Sequence, residues 1–90
     1  MYTVLFSDEA MHAVKRLDAK TKSQIRKAVD RIALDPFEGK ELKAELRGMY
    51  SYRSGDYRIV YSVEKERIVV MILTVGHRKD VYKQVTRKKR

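Results

Sequence analysis

The 90-residue chain contains no cysteine, one proline and four glycines. The absence of cysteine excludes disulfides, thiolate zinc sites and cysteine nucleophiles. No apolar run approaches the ~20 residues of a membrane-spanning helix, and the N-terminus lacks the basic-then-apolar arrangement of a signal peptide. We therefore expect a cytoplasmic protein that does not associate with a membrane.

Several catalytic signatures are also missing from the sequence. There is no glycine-rich phosphate loop, no paired-glycine cofactor fingerprint and no metal-ligand spacing. The carboxylates fall mainly on predicted helix surfaces or turns, and His12 lies on a predicted helix among ordinary neighbours. These absences argue against a metal-dependent nuclease. We therefore expect the protein to use neither a metal nor a cofactor.

Positive charge is the strongest feature that the sequence does have. Twenty-one Lys and Arg against twelve Asp and Glu give a formal net charge of +9 at pH 7. This excess repels itself and favours an anionic partner, either nucleic acid or an acidic protein. Net charge also governs solubility, so a merely soluble basic protein is the alternative on charge alone.

The hydrophobic pattern predicts one small α+β domain over residues 1–90 with the element order β-α-α-β-β-β. After a first short strand, Ser7 and Asp18 can cap two helices that end near Leu17 and before Pro36. Because almost no loop joins the two helices, we expect an N-terminal helical hairpin packed on an antiparallel-rich sheet.

The second half of the chain is predicted to form the rest of the sheet. Residues 37–47 form a mixed connector, and from residue 49 onward the hydrophobic period changes to two. Residues 67–75 form a long apolar strand, expected in the interior of the sheet because both of its faces need cover. A basic tail follows at about residues 83–90.

A two-residue turn at Gly55 and Asp56 sets the register of the predicted hairpin. Counting outward from the turn pairs Arg53 with Arg58. Directly opposed like charges weaken a sheet, so this pair suggests that an anion such as phosphate binds between the two arginines. The opposite face is apolar and can carry the helices, which leaves the arginine face open. The residues of this opposite, apolar face are Tyr50, Tyr52, Ile59, Tyr61 and Val63.

The last strand is expected to bring a histidine to the arginine face. Counting through a turn at Lys65-Glu66 places four residues there, namely Met71, Leu73, Val75 and His77. Taken singly, an arginine on a strand or a histidine after a strand is more often an ordinary surface residue, and Tyr82 could equally anchor the tail. The arginines are harder to dismiss as a pair.

Three segments resemble the RelE/ParE toxins of toxin–antitoxin systems: Leu46-Arg47-Gly48, residues 53–61 (RSGDYRIVY) and residues 75–82 (VGHRKDVY). Their order and spacing match, and the resemblance covers nearly the whole chain. It implies a microbial RNase fold whose members mostly enter the ribosomal A site and cut the codon there without a metal. The products are a 2′,3′-cyclic phosphate and a 5′-hydroxyl.

The resemblance also implies roles for individual residues. Arg58 matches the family's central arginine and would stabilise the charge that develops on the scissile phosphate. His77 and Tyr82 align with a region that supplies acid or base in several relatives, and their roles could be exchanged. Arg78 would assist at the transition state. The residues expected to hold RNA or its phosphates are Arg47, Ser51, Arg53 and Lys79.

One departure bears on this mechanism. The best-known RelE toxins carry two lysines on the strand before the turn, at the positions of Met49 and Ser51 in this chain. In relatives without these lysines, a glutamate or histidine transfers the proton. Either His77 takes over this role, or the protein is a weak catalyst.

The partners implied by the resemblance are a cognate antitoxin, messenger RNA and the ribosome, with operator DNA reached only through the antitoxin. The antitoxin would cover the groove and the sheet edge, consistent with the apolar Val60, Met71 and Leu73 predicted on the arginine face. One alternative is a ParE-like inhibitor of DNA gyrase, which would not need Arg58, His77 and Tyr82 in one groove. Another is a non-catalytic nucleic-acid-binding protein, a degenerate toxin that represses transcription with its antitoxin.

Overall fold

The computed structural model describes residues 1–83. The predicted basic tail therefore lies, apart from Lys83, outside the described residues. The five strands are β1 (Thr3–Phe6), β2 (Lys40–Glu41), β3 (Met49–Ser54), β4 (Tyr57–Glu64) and β5 (Val69–His77). The helices are α1 (Asp8–Lys15) and α2 (Ala19–Leu34), with 3₁₀ helices at Pro36–Glu38 and Ala44–Leu46, and a further helical turn begins at Val81.

The predicted α+β order is confirmed, with additions in the connector between α2 and β3. This connector contains β2 and the two 3₁₀ helices, which are too short to produce a hydrophobic period. The sheet order is β1-β5-β4-β3-β2. The β1–β5 pair is parallel and the other pairs are antiparallel. The long apolar strand β5 thus lies inside the sheet, as expected.

The helix boundaries are set by local capping. The Ser7 hydroxyl accepts a hydrogen bond from the Ala10 amide at 3.1 Å and donates one to the Leu73 carbonyl at 2.7 Å. Ser7 therefore both starts α1 and fastens it to β5. The Asp18 carboxylate accepts from the Thr21 amide at 2.7 Å, and this bond lowers the pKa of Asp18. As predicted, α2 ends before the proline at position 36.

The β3–β4 hairpin has the predicted register. Arg53 pairs with Arg58, and Ser51 pairs with Val60. Gly55 adopts a φ of 61° in the turn, which is the left-handed conformation that a two-residue hairpin turn requires. Because the turn is local in sequence, the register of this hairpin follows from the sequence alone.

The turn between β4 and β5 is longer than the sequence indicated. Glu64 pairs with Val69, so the turn spans residues 65–68 and is not confined to Lys65 and Glu66. Ile68 adopts a positive φ of 55° in this turn. The two additional residues preserve the alternation of side chains, and Met71 therefore remains on the arginine face, opposite Ser62.

A β-bulge further along β5 makes the prediction for Val75 and His77 wrong. Val60 pairs with Thr74 and Tyr61 pairs with Ile72, which leaves Leu73 without a partner. This extra residue reverses the faces of everything beyond it. Val75 consequently lies opposite Ile59 and His77 opposite Tyr57, both on the face that the helices cover.

The sheet is covered on both faces, although unequally. The helices cover a large core made of Ala10, Ala13, Ile25, Ala28, Ile32, Ile59, Tyr61, Val70, Ile72 and Val75. The arginine face has a smaller core of Leu42, Val60 and Val81, with Leu46, Met49, Leu73 and Tyr82 around it. Val81 is fully buried, which contributes about 1.5–3 kcal/mol and holds the C-terminal turn on this face.

The connector is held by a buried tyrosine from the central strand. Tyr61 is fully buried, and its hydroxyl donates a 2.7 Å hydrogen bond to the Pro36 carbonyl. Burial raises the pKa of Tyr61 well above its usual value. A side chain at Gly39 would collide with this hydroxyl and approach the Ser51 carbonyl to 3.1 Å. The close packing of Gly39 against Tyr61 therefore holds the chain in place just before β2.

Candidate active site on the arginine face

Arg58 lies at the centre of the arginine face. It is half-buried on β4, with Arg53 opposite it on β3 and Gly76 opposite it on β5. Since Gly76 has no side chain, β5 places nothing beside the guanidinium at this register. Arg58 is therefore open to a ligand on that side.

Ser51 joins Arg58 to Tyr82. Its hydroxyl accepts a hydrogen bond from the Tyr82 hydroxyl at 3.0 Å and a long one from Arg58 Nη1 at 3.5 Å. The structure thus brings together, on the predicted face, three residues that span 31 positions of the sequence. Ser51 is only 2% exposed, so its hydroxyl lies beneath the surface of this face.

Among residues 1–83, neither of the two paired arginines forms an ion pair with an Asp or Glu side chain. Arg53 is exposed, and its Nε donates to the Gly55 carbonyl at 3.1 Å, so its side chain follows the hairpin turn. Within residues 1–83, the ion pairs join Arg31 to Glu38 and Arg67 to Glu64, and neither pair includes Arg53 or Arg58. Two such cations at one register provide a site for an anion such as phosphate.

His77 does not join the Arg58 cluster. Its ring packs edge-on against Tyr57 with the centroids 5.9 Å apart, and its Nδ1 accepts a 3.3 Å hydrogen bond from the Lys79 amide. The bulge in β5 is the reason, because it turns the histidine to the other face. The structure thus separates His77 from Arg58, whereas it brings Tyr82 to Arg58.

The turn after β5 places further basic residues at the tip of the hairpin. The Arg78 amide donates to the Asp56 carbonyl at 2.9 Å, which fastens this turn to the β3–β4 turn. Arg78 and Lys79 are both exposed there. Arg47 is exposed at the end of the second 3₁₀ helix, just before β3. Arg78 and Lys79 can contact a polyanion at the hairpin tip, whereas Arg47 lies at the other end of β3.

A groove beside Tyr82 was missed by the sequence analysis. Its lining residues are Lys40, Glu41, Leu42, Lys43, Leu46 and Tyr82. The connector appeared featureless in the sequence because β2 has only two residues. The pairing of β2 with β3 nevertheless places Lys40 opposite Ser51, one strand away from the Arg58 cluster.

Other kinds of site find little support in residues 1–83. No three histidine or carboxylate side chains in that range lie close enough together to hold a metal ion. None of the helices in the described part of the chain has the length and apolar character needed to cross a membrane. The arginine face is therefore the principal candidate site of the described residues.

Comparisons with known proteins agree on one family. The model of a family described as the ParE toxin of the type II toxin–antitoxin system parDE matches residues 4–82. Toxin RelG of Mycobacterium tuberculosis is 34% identical over 85 residues, which cover 92% of this chain and 98% of that protein. The mRNA interferase toxin RelE of Escherichia coli is 28% identical over 95 residues, covering 97% and 96%.

The fold leads to the same family. A chain in the crystal structure of the toxin–antitoxin complex RelBE2 from Mycobacterium tuberculosis aligns with a TM-score of 0.80 at 34% identity. The alignment covers 86% of this chain and 98% of that chain. Sequence and structure are thus similar over most of the length of both proteins, and this protein belongs to the RelE/ParE superfamily of toxins of type II toxin–antitoxin systems.

Proposed function

We propose that this toxin is a ribosome-dependent endoribonuclease that cuts messenger RNA in the A site. The observation that carries the proposal is the open Arg58 guanidinium, paired with Arg53 and joined through Ser51 to the Tyr82 hydroxyl. The name of the similar Escherichia coli protein, mRNA interferase toxin RelE, supports the same activity.

The proposed reaction is attack by a 2′-hydroxyl on the adjacent phosphorus, which expels the 5′-oxygen and leaves a 2′,3′-cyclic phosphate. The reaction needs an acceptor for the 2′-hydroxyl proton, a proton donor for the leaving oxygen, and cations beside the phosphorane. Side chains can meet each of these needs, so the proposal includes no metal.

Arg58 would stabilise the charge on the scissile phosphate, because it is half-buried in the sheet whereas the other cations named here are exposed. Tyr82 shares that face, which makes it the stronger candidate for contact with the reacting groups or for stacking on a base. His77 would act only on a substrate that reaches around the end of β5. Arg53, Arg78, Lys79 and Arg47 would hold flanking phosphates.

We further propose that a cognate acidic antitoxin neutralises the toxin in the cytoplasm. The similar Mycobacterium tuberculosis chain comes from a toxin–antitoxin complex, and a formal net charge of +9 favours an acidic partner. Operator DNA would be bound only through this antitoxin. A short open reading frame for an acidic protein is expected next to the toxin gene.

Inhibition of DNA gyrase is the second candidate. Two observations favour it: the matching family model carries a ParE description, and His77 is separated from Arg58. An inhibitor that only binds gyrase would not need a proton donor and a proton acceptor beside the same phosphate. The Arg58–Ser51–Tyr82 cluster would then have no chemical task.

Primer extension on a defined mRNA bound to ribosomes tests the proposal. Wild-type protein should produce new stops within the A-site codon, and ribosome-free RNA should remain intact. Arg58→Ala should lower the cleavage rate about 10²- to 10³-fold, the usual effect of losing one preorganised donor. The matched control is Arg26→Ala, which removes the same charge from the exposed side of α2 and should cut normally.

Each alternative has its own signature in this design. An intact message with wild-type protein, together with loss of supercoiling by purified gyrase, would replace the nuclease with the ParE-like activity. Absence of both effects would favour the non-catalytic DNA- or RNA-binding reading. Equal losses in Arg58→Ala and Arg26→Ala would mean that general charge, and not a placed arginine, drives cleavage.

A further inference from the structure

We propose that Ser51 is a positioning residue that sets where the Arg58 guanidinium and the Tyr82 hydroxyl stand relative to each other. The inference rests on the proposed nuclease function and names how its site is assembled. The sequence predicted that Ser51 contacts RNA directly. Because Ser51 is buried, we instead infer that it acts through two other side chains.

Ser51 cannot reach a substrate from its place in the sheet. It lies on β3 between β2 and β4, opposite Lys40 on one side and Val60 on the other, and is 2% exposed. Its hydroxyl nevertheless forms hydrogen bonds to both Arg58 and Tyr82. A substitution here therefore acts on the site only through these neighbours.

The direction of the hydrogen bonds gives this contact a chemical meaning. A guanidinium can only donate, so the Ser51 oxygen must accept from Arg58. The same oxygen accepts from the Tyr82 hydroxyl at 3.0 Å. The Tyr82 hydroxyl is thus tied to the same serine that holds Arg58, which fixes where its oxygen stands relative to the guanidinium. Without Ser51, the phenol would lose this anchor.

The fold does not depend on this hydroxyl. The C-terminal turn that carries Tyr82 is already held by Val81, which is fully buried against Leu42 and Val60. The strand pairing around Ser51 uses backbone groups, which a substitution to alanine leaves in place. Removal of the hydroxyl should therefore disturb the positions of two side chains more than the stability of the sheet.

A double-mutant cycle on ribosome-bound mRNA tests the inference. Ser51→Ala should lower kcat about tenfold with little change in KM, since a hydrogen-bonded arrangement is lost but the binding surface is kept. Tyr82→Phe should cost clearly less in the Ser51→Ala background than in the wild type. Ser51→Thr, which restores a hydroxyl, should recover most of kcat. The control is Ser54→Ala, on the same strand but on the other face.

The outcomes separate the inference from the proposed function. Wild-type cleavage with full activity in Ser51→Ala, or additive losses in the cycle, would overturn the positioning role and leave the nuclease standing. A loss of activity that follows a fall in Tm, measured by circular dichroism, would reduce Ser51 to a structural residue and also overturn the role. A wild-type protein that cuts nothing would refute the nuclease, and the role of Ser51 with it.

Discussion

Replacing Tyr61 with phenylalanine tests how the connector is held beside the site. The substitution removes one hydroxyl oxygen and keeps the ring in the core. It deletes the 2.7 Å hydrogen bond to the carbonyl of Pro36, and Pro36 is a buried residue. A lost hydrogen bond that leaves a buried acceptor unsatisfied costs about 1–3 kcal/mol. For a chain of this size, Tm should fall by about 4–8 °C for each kcal/mol.

The same variant makes a second prediction at high pH. Burial raises the pKa of Tyr61, so above pH 10 the unfolded chain releases the proton while the folded chain retains it. Folding must then take up a proton, and the stability that this group provides is lost as the pH rises. The free energy of unfolding of the wild type should fall by about 1.4 kcal/mol more per pH unit than that of Tyr61→Phe.

Urea denaturation at pH 7 and at several values between pH 9 and 11 measures both effects. Tyr52→Phe is the matched control, because Tyr52 packs on the same core but is only half-buried and its hydroxyl has no such bond among residues 1–83. The stability gap between wild type and Tyr61→Phe should be large at pH 7 and narrow above pH 10. Equal stability of the wild type and Tyr61→Phe at pH 7 would refute the reasoning. So would a stability difference between them that stays constant to pH 11.

Three further predictions concern the connector, the C-terminal turn and the β3–β4 hairpin. Gly39→Ala should destabilise the protein by about 1–3 kcal/mol in urea denaturation, because its Cβ would collide with the Tyr61 hydroxyl, and an unchanged stability would contradict this. Val81→Ala should weaken docking of the C-terminal turn by about 1.6 kcal/mol from the two lost methyl groups, seen as faster hydrogen exchange at the Lys83 amide; unchanged exchange would contradict it. Arg53→Ala should lower RNA affinity and reduce its dependence on salt, whereas an unchanged salt slope would remove Arg53 from the phosphate contacts.

The sequence by itself determined the features that depend on neighbours along the chain. Ser7 and Asp18 cap their helices through amides three residues away, and the turn at Gly55 and Asp56 fixes the pairing of Arg53 with Arg58. Such contacts need no knowledge of the distant fold. The family resemblance was also visible in the sequence, because its segments surround this same hairpin and the end of β5.

Only the tertiary structure decided which catalytic candidates meet. A single unpaired residue, Leu73, moves His77 away from Arg58, and nothing in the local sequence signals this bulge. The burial of Val81 in a small second core brings Tyr82 to Ser51, across 31 positions of sequence. Periodicity reports which residues are apolar, but register and long-range packing decide which side chains share a face.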